Sequence, residues 1–368
     1  MVSWINSLKG AGRVPVPLAF PDGSRLLVLP ESGRLLGLFT PETDENVLWT
    51  NPALATAESA TAYFNRAGWP NPGGDRTWLA PEIELFLGDL KRPWETYKVQ
   101  PALDPGHWTL ETVTDAELCL TNSTRVRLHR SGRDIDVRLR KSYRAAANPL
   151  SKSGLHYAGY TQVTTVELDQ AAEALRQGSG QAGGPPVGLR AEPALGIWNL
   201  LQLPQPGTML IPTRTATGPQ LVFGKCVAGE LAAEAGLVRW HMAAPGPDAK
   251  IAIKAPSLTG RAGYLRQTAT SGIWDLVIRE FAVDPGGNYV DALWEPPHET
   301  GWCFQACCVR NGDERFNELE YHAPAAIAAA GANTGRDESR VWAFRGAADA
   351  VSEAACVLLG VDIERIVE

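Results

Sequence analysis

Three observations place this chain in the mostly-β class, as a large antiparallel β-sandwich with few short helices. Short apolar runs recur between Pro, Gly and Ser from Ser24 to His322, the pattern of paired strands. In Asp134–Arg140, Ile135, Val137 and Leu139 alternate with Asp136, Arg138 and Arg140, a period of two that buries one face and wets the other. The 36 glycines and 27 prolines supply the turns that many short strands need.

Taken in order, Ser24–Leu29 and Gly33–Phe39 read as a strand pair, and 46–52 as a third strand with a proline stop. Trp108–Thr112, Ala116–Thr121 and Arg125–Ser131 read as a meander that continues into Asp134–Arg140. Gln162–Leu168 is a further strand, followed by a Gly/Ser/Pro-rich loop over 176–188. Gly196–Leu203 and Thr208–Pro212 read as a pair around a Pro-Gln-Pro-Gly turn. The series ends with Lys250–Lys254, Gly263–Thr268, Trp274–Phe281, Cys303–Arg310 and Phe316–His322. Helix is expected at Ala347–Leu359, where an alanine-rich run stops at Gly360, and as an alternative to a strand exit at 168–176. No repeat or linker divides the chain, so one β-sandwich domain is expected over 1–368, with its core at about 20–362.

Composition narrows the function classes. Hydrophobic content of 44% and charged content of 20% are globular values that allow a large core. A net charge of −7, spread along the sequence, lacks the basic stripe of a nucleic-acid surface. No stretch approaches the roughly 20 apolar residues of a membrane helix, and no early apolar run resembles a signal peptide. A soluble, reduced, cytoplasmic protein is the expectation, and the oligomeric state is left open. The six cysteines have neither disulfide-framework density nor zinc spacing, and read as strand residues that happen to be thiols. Nucleotide loops, a Gly-x-Ser-x-Gly elbow and His-Glu-x-x-His are all missing. No cofactor and no metal is expected.

Residues 73–82, Gly-Gly-Asp-Arg-Thr-Trp-Leu-Ala-Pro-Glu, carry the strongest chemical signal. The glycine pair bends the backbone, and Arg76, Trp78 and Glu82 follow it closely. A guanidinium fork, a flat indole and a carboxylate suit a sugar, which has polar edges and apolar C–H faces. In Phe316–His322, alternation puts Phe316, Glu318, Glu320 and His322 on one face, where two carboxylates and an imidazole can exchange protons with a ligand. Asp291, Trp294 and His298 flank Pro296-Pro297 on a loop suited to a polar ligand, and His156 follows the loop-like Ser151–Gly154. Among twelve tryptophans, Trp78 and Trp294 have the polar flanks of stacking platforms.

The order of Gly33–Phe39, Asn46–Trp49, and Gly73-Gly74 with Trp78 and Pro81 resembles the opening of aldose-1-epimerase and hexose-6-phosphate mutarotase domains. Gly196–Trp198, Ile211-Pro212, Glu318–Glu320 with Pro324, and Leu359–Val361 resemble a bacterial family within that galactose-mutarotase-like superfamily. The resemblance implies a twisted antiparallel β-supersandwich with a sugar site in a concave sheet. In the mutarotases a late glutamate takes the anomeric proton and a histidine protonates the ring oxygen. The resemblance places the glutamate at Glu320 or Glu318 and the hydroxyl-holding arginine at Arg76. It also exposes a departure, since no histidine precedes His107. His298 and His322 are the candidate replacement acids, and His156 stands with Glu82, Asp291 and Trp294 as a candidate substrate contact.

The resulting expectation is aldose 1-epimerase-like acid/base chemistry on a small-molecule or oligosaccharide ligand. The alternatives are a non-catalytic carbohydrate-binding module, and a polysaccharide lyase or glycoside hydrolase.

Overall fold

The computed structural model describes residues 1–169, 192–234, 236–242, 245–310, 312, 314–328 and 331–362. The expected loop at 176–188, and the helix alternative beyond residue 169, lie outside these residues.

Among the described residues, twenty strands divide evenly between two antiparallel sheets. In chain order they are β1 (Val16–Ala19), β2 (Arg25–Leu29), β3 (Arg34–Phe39), β4 (Asp75–Ala80), β5 (Thr109–Val113), β6 (Glu117–Leu128), β7 (Arg133–Ala145), β8 (His156–Leu168), β9 (Ala194–Leu203) and β10 (Gly207–Pro212). They continue as β11 (Gln220–Gly224), β12 (Leu231–Glu234), β13 (Leu237–Met242), β14 (Ala249–Lys254), β15 (Arg261–Gln267), β16 (Ile273–Phe281), β17 (Trp302–Val309), β18 (Phe316–His322), β19 (Ala326–Ile327) and β20 (Thr334–Ala347). The first sheet runs β1-β2-β3-β4-β9-β18-β17-β14-β11, with β19 also on β9. The second runs β12-β13-β10-β15-β16-β20-β8-β7-β6-β5. This is the mostly-β, two-sheet sandwich that the strand pattern predicts.

Helices cover the outer faces. α1 (Val2–Gly10) and α2 (Ala57–Phe64) pack with Leu27, Leu29, Leu36 and Phe39 on the first sheet. The short α3 (Glu82–Leu85) and α4 (Pro93–Thr96) follow β4, and α5 (Ala348–Leu359) packs on the second sheet through Val351, Ala355 and Leu358. Gly360 takes the expected left-handed conformation, φ 68°, after α5.

Local pattern predicts most strands well, including alternate burial of Ile135, Val137 and Leu139 in β7. Four expectations change. The segment at 46–52 is not a strand; only Thr50 bridges to Gly73. Ala116–Thr121 and Arg125–Ser131 merge into the continuous β6, whose whole length pairs with β7. β9 and β10 do not pair: β9 joins β4 and β18, while β10 joins β13 and β15 in the other sheet. Pro204 and Pro206 lack the N–H groups a hairpin ladder needs, so the chain changes sheets there. Finally, α1 and α2 precede β4 where no helix is expected from sequence; both are short and held by packing rather than by strong periodicity.

The glycine pair behaves as its sequence suggests. Gly73 and Gly74 have φ of 99° and 81°. A Cβ would lie 2.4 Å from the Trp49 carbonyl oxygen at Gly73, and 2.1 Å from that of Leu35 at Gly74. Only glycine lets β4 start this close to its neighbours.

Candidate functional site

β4, β9, β18, β17 and β14 lie side by side, and register aligns their outward residues into rows. Arg76 pairs across with Leu200, which pairs with Glu320. Gln202 pairs with Glu318, Glu318 with Cys307, and Cys307 with Lys250. Trp78 pairs with Trp198 and Trp198 with His322. The opposite pleat, Asp75, Thr77, Asn199 and Tyr321, faces the second sheet, so the two sets never mix.

A cavity of about 160 Å³ opens on this outer face. Its walls include Arg76, Trp78, Glu82, Lys250, Trp294 and Glu318, with Trp69, Trp94, Tyr97, Trp198, Phe223 and Cys307. Five of the chain's twelve tryptophans therefore meet here.

Three ion pairs, made by two cations, set the electrostatics. Arg76 Nη2 lies 2.8 Å from Glu318 Oε1, which also accepts from Gln202 Nε2 at 3.0 Å. The guanidinium sits 4.2 Å from the Trp78 ring centre, and the Trp78 indole donates to Asp104 at 3.0 Å. Lys250 Nζ lies 3.1 Å from Glu320 Oε2 and 3.4 Å from Glu82 Oε2, over the Trp198 ring at 4.5 Å. Trp198 donates to Glu320 at 2.9 Å. Trp294 and Tyr97 donate to Glu82 at 3.1 and 3.2 Å.

Three buried carboxyls, Glu82, Glu320 and Asp291, thus crowd one ammonium. Burial pushes all three up, and Lys250 only partly offsets it. For Glu320, burial outweighs Lys250, and Glu318 and Glu82 add repulsion, so its carboxyl is pushed up to about 7. Lys250 loses stability as a cation through burial but regains more from Glu320 and Glu82, and stays charged. All three carboxyls therefore bind protons more readily than exposed ones, and their titration belongs to the group rather than to one residue.

The structure places the sequence-predicted residues in three settings. Arg76, Trp78, Glu82, Trp294 and Glu318 line the cavity. Glu320, Asp291 and His322 lie behind it, all fully buried or nearly so. Asp291 accepts from the Glu82 backbone N–H at 2.8 Å and from Gln305 at 2.5 Å. His322 stacks on Trp198, ring centres 5.3 Å apart, and comes within 3.6 Å of Asp291. Burial and Lys250 hold its imidazole neutral, so this approach is not an ion pair. His298 and His156 are exposed; His156 starts β8 in the second sheet, beside Glu42 at 3.2 Å. Neither lines the cavity.

Lys250 and Cys307 are the members that sequence reasoning misses. Lys250 stands in a short apolar strand with Lys254 four residues on, on the same pleat face, and that spacing of two lysines was its one available signal. Cys307, Glu318 and Glu320 bring ligand atoms within 4.8 Å of one another. Burial and the two glutamates hold the thiol well above its usual range, and each glutamate already has a cation. A divalent ion would have to displace both pairs and a thiol proton, so the donor set does not fit one. A larger, open depression of about 1080 Å³ near Arg125 and Asp136 on the second sheet has no aromatic side chain among the described residues of its walls.

No protein-family model and no curated protein sequence matches this chain. Among solved structures it is similar to an Escherichia coli K12 protein assigned as an aldose 1-epimerase, with 12% identity, 91% of this chain and 100% of that chain covered, and a TM-score of 0.45. It is also similar to galactose 1-epimerase from Lactobacillus acidophilus NCFM (8% identity, 90% and 94% covered, TM-score 0.41). A third is the aldose epimerase homologue from C. elegans (10%, 91% and 99%, TM-score 0.37). In architecture the chain is an antiparallel two-sheet β-sandwich with few helices. At these identities and TM-scores the likeness assigns no role, and function must be argued from the cavity.

Proposed function

We propose that this chain is a carbohydrate-active protein that holds one sugar ring in the cavity and performs aldose 1-epimerase-like acid/base chemistry on it. The observation that carries the reading is a single cavity walled by indole rings and by two ion pairs, Arg76–Glu318 and Lys250–Glu82. Indoles suit the C–H face of a pyranose, and the charged pairs suit its hydroxyl edges. At about 160 Å³ the cavity is well below the roughly 300–1,000 Å³ of drug-sized ligand sites, which favours one ring over a polymer.

Glu318 is the proposed base. Arg76 and Gln202 fix its carboxylate, and it takes the anomeric hydroxyl proton. Glu82 is the proposed acid, drawing on the proton it shares with Glu320 and Asp291 around Lys250, and it protonates the ring oxygen. The C1–O5 bond breaks, the C1–C2 bond turns, and closure returns each proton to its donor. This assignment fills the role that a histidine takes in the mutarotases, with a carboxyl kept neutral by burial. Polarimetry or saturation-exchange NMR on a panel of aldoses tests it: faster anomer exchange than in buffer supports the reading, and no acceleration for any sugar overturns the epimerase form.

Binding without conversion is the second reading, favoured by the fact that none of the six histidines lines the cavity. It requires saccharide-dependent rises in melting temperature with unchanged anomer kinetics.

A further inference from the structure

Trp94 is 63% exposed, among the most exposed large apolar side chains of the described residues, yet it belongs to the cavity wall. An indole left in water at the mouth of a polar, aromatic cavity invites a ligand surface. The ring is not loose: its centre is 4.9 Å from Phe223 and 4.9 Å from Trp294, at interplanar angles of 86° and 62°. Trp294 is in turn anchored by its bond to Glu82. The turn that carries Trp94 is closed by Thr96, whose hydroxyl accepts from the Asp89 N–H at 3.0 Å and donates to the Arg92 carbonyl at 2.9 Å. Half-buried Asp89 and exposed Arg92 and Glu95 form ion pairs on the same turn, within one or a few residues of the indole.

From these contacts we infer that Trp94 forms an outer subsite, where the second ring of an uncharged di- or oligosaccharide stacks while its terminal ring occupies the cavity. The inference rests on the sugar reading of the cavity and adds the ligand's length and charge. The cavity has room for one ring, and the next unit must emerge beside Trp94, where a braced apolar face and flanking polar groups match a pyranose. An uncharged sugar is specified because Glu82, Glu318 and Asp248 line the cavity against two cations, with Glu320 and Asp291 behind. A phosphate there would meet mostly negative groups.

The test is calorimetric titration of the full chain with glucose, galactose and mannose, and with cellobiose, lactose and mannobiose. The expected result is a disaccharide bound about three- to tenfold more tightly than its monosaccharide, the range of one aromatic stacking contact. That ratio should fall toward one in Trp94→Ala and recover in part in Trp94→Phe, which keeps a flat ring. Glucose 6-phosphate should bind more weakly than glucose. Monosaccharide binding with no disaccharide advantage, or a ratio that Trp94→Ala leaves intact, overturns the subsite while the proposed function stands. Preference for the phosphate overturns the charge assignment. If no saccharide binds at all, the proposed function falls and the subsite with it.

Discussion

Strands β4, β9 and β18 bury charged and polar groups on both faces, and the two faces put them to different use. On the inner face, Asp75 pairs with Arg279 at 3.1 Å and accepts from the Tyr160 hydroxyl at 2.5 Å. Asn199 donates to Tyr321 at 2.8 Å and to Asp337 at 3.1 Å, and the Tyr321 hydroxyl also donates to Asp337. Those bonds tie the first sheet to strands β8, β16 and β20 of the second. On the outer face, Arg76, Glu318, Glu320 and Lys250 pair within one sheet and with Glu82 just beyond it. Both faces leave some buried atoms without hydrogen bonds, Arg279 Nε inside and Arg76 Nε and Nη1 outside. What separates them is the cavity, which borders only the outer set. Buried charge is costly wherever it sits, so its presence alone does not mark a site. Its meeting with space for a ligand does.

That contrast can be broken in graded ways. The largest effect expected is on the outer face: Glu318→Gln should lower anomer exchange by about 10²–10⁴-fold, the usual range for a removed general base, while keeping its hydrogen bond from Gln202. Polarimetry reads it, and a rate within threefold of the parent removes Glu318 from the mechanism. On the inner face, Asp75→Ala strands Arg279 and should cost about 3–5 kcal/mol of stability in denaturant titration, the range for a broken buried pair. A cost below about 1 kcal/mol would mean that the inter-sheet ties contribute little.

Smaller effects separate the faces by pH. Folded Glu320 holds its proton up to about 7, whereas an unfolded glutamate releases it near 4.5. The folded state therefore binds more protons in that window, and stability should fall as pH rises from about 4.5 to about 7. Glu320→Gln should flatten that slope in melting curves. Lys141, fully buried between the sheets with Nζ on the Gly33 carbonyl at 2.7 Å, has the opposite sign. Burial pulls its ammonium down to about 7 from 10.5, so the unfolded chain binds more protons in between, and stability should rise with pH through that range. Lys141→Met should remove this rise. Equal slopes in parent and variants would show that neither group titrates as its surroundings imply.

Much of the outer face was legible in one dimension. Arg76 and Trp78 share a pleat face, as do Glu318, Glu320 and His322, because side chains alternate along any strand. The glycine pair announced the close approach that starts β4. Alternation could not say which parity faces the cavity, nor how deep each residue lies. Glu318 reaches the cavity and Glu320 lies behind Lys250, although two residues apart on one strand. Nor could it reveal that His298 stays on an exposed loop and His156 on another sheet. Lys250 escaped because lysines in a short strand read as solvent-facing residues.

The chain's own pattern determined that it is β, where most strands run and which side chains share a face, since these follow from the backbone's period of two over neighbouring residues. Strand order, and with it the joining of Glu82, Lys250 and Glu320 across as many as 238 positions, was decided only in the folded protein. Pairing between distant segments is selected by the burial and hydrogen bonding of whole sheets at once, a sum that no local window contains.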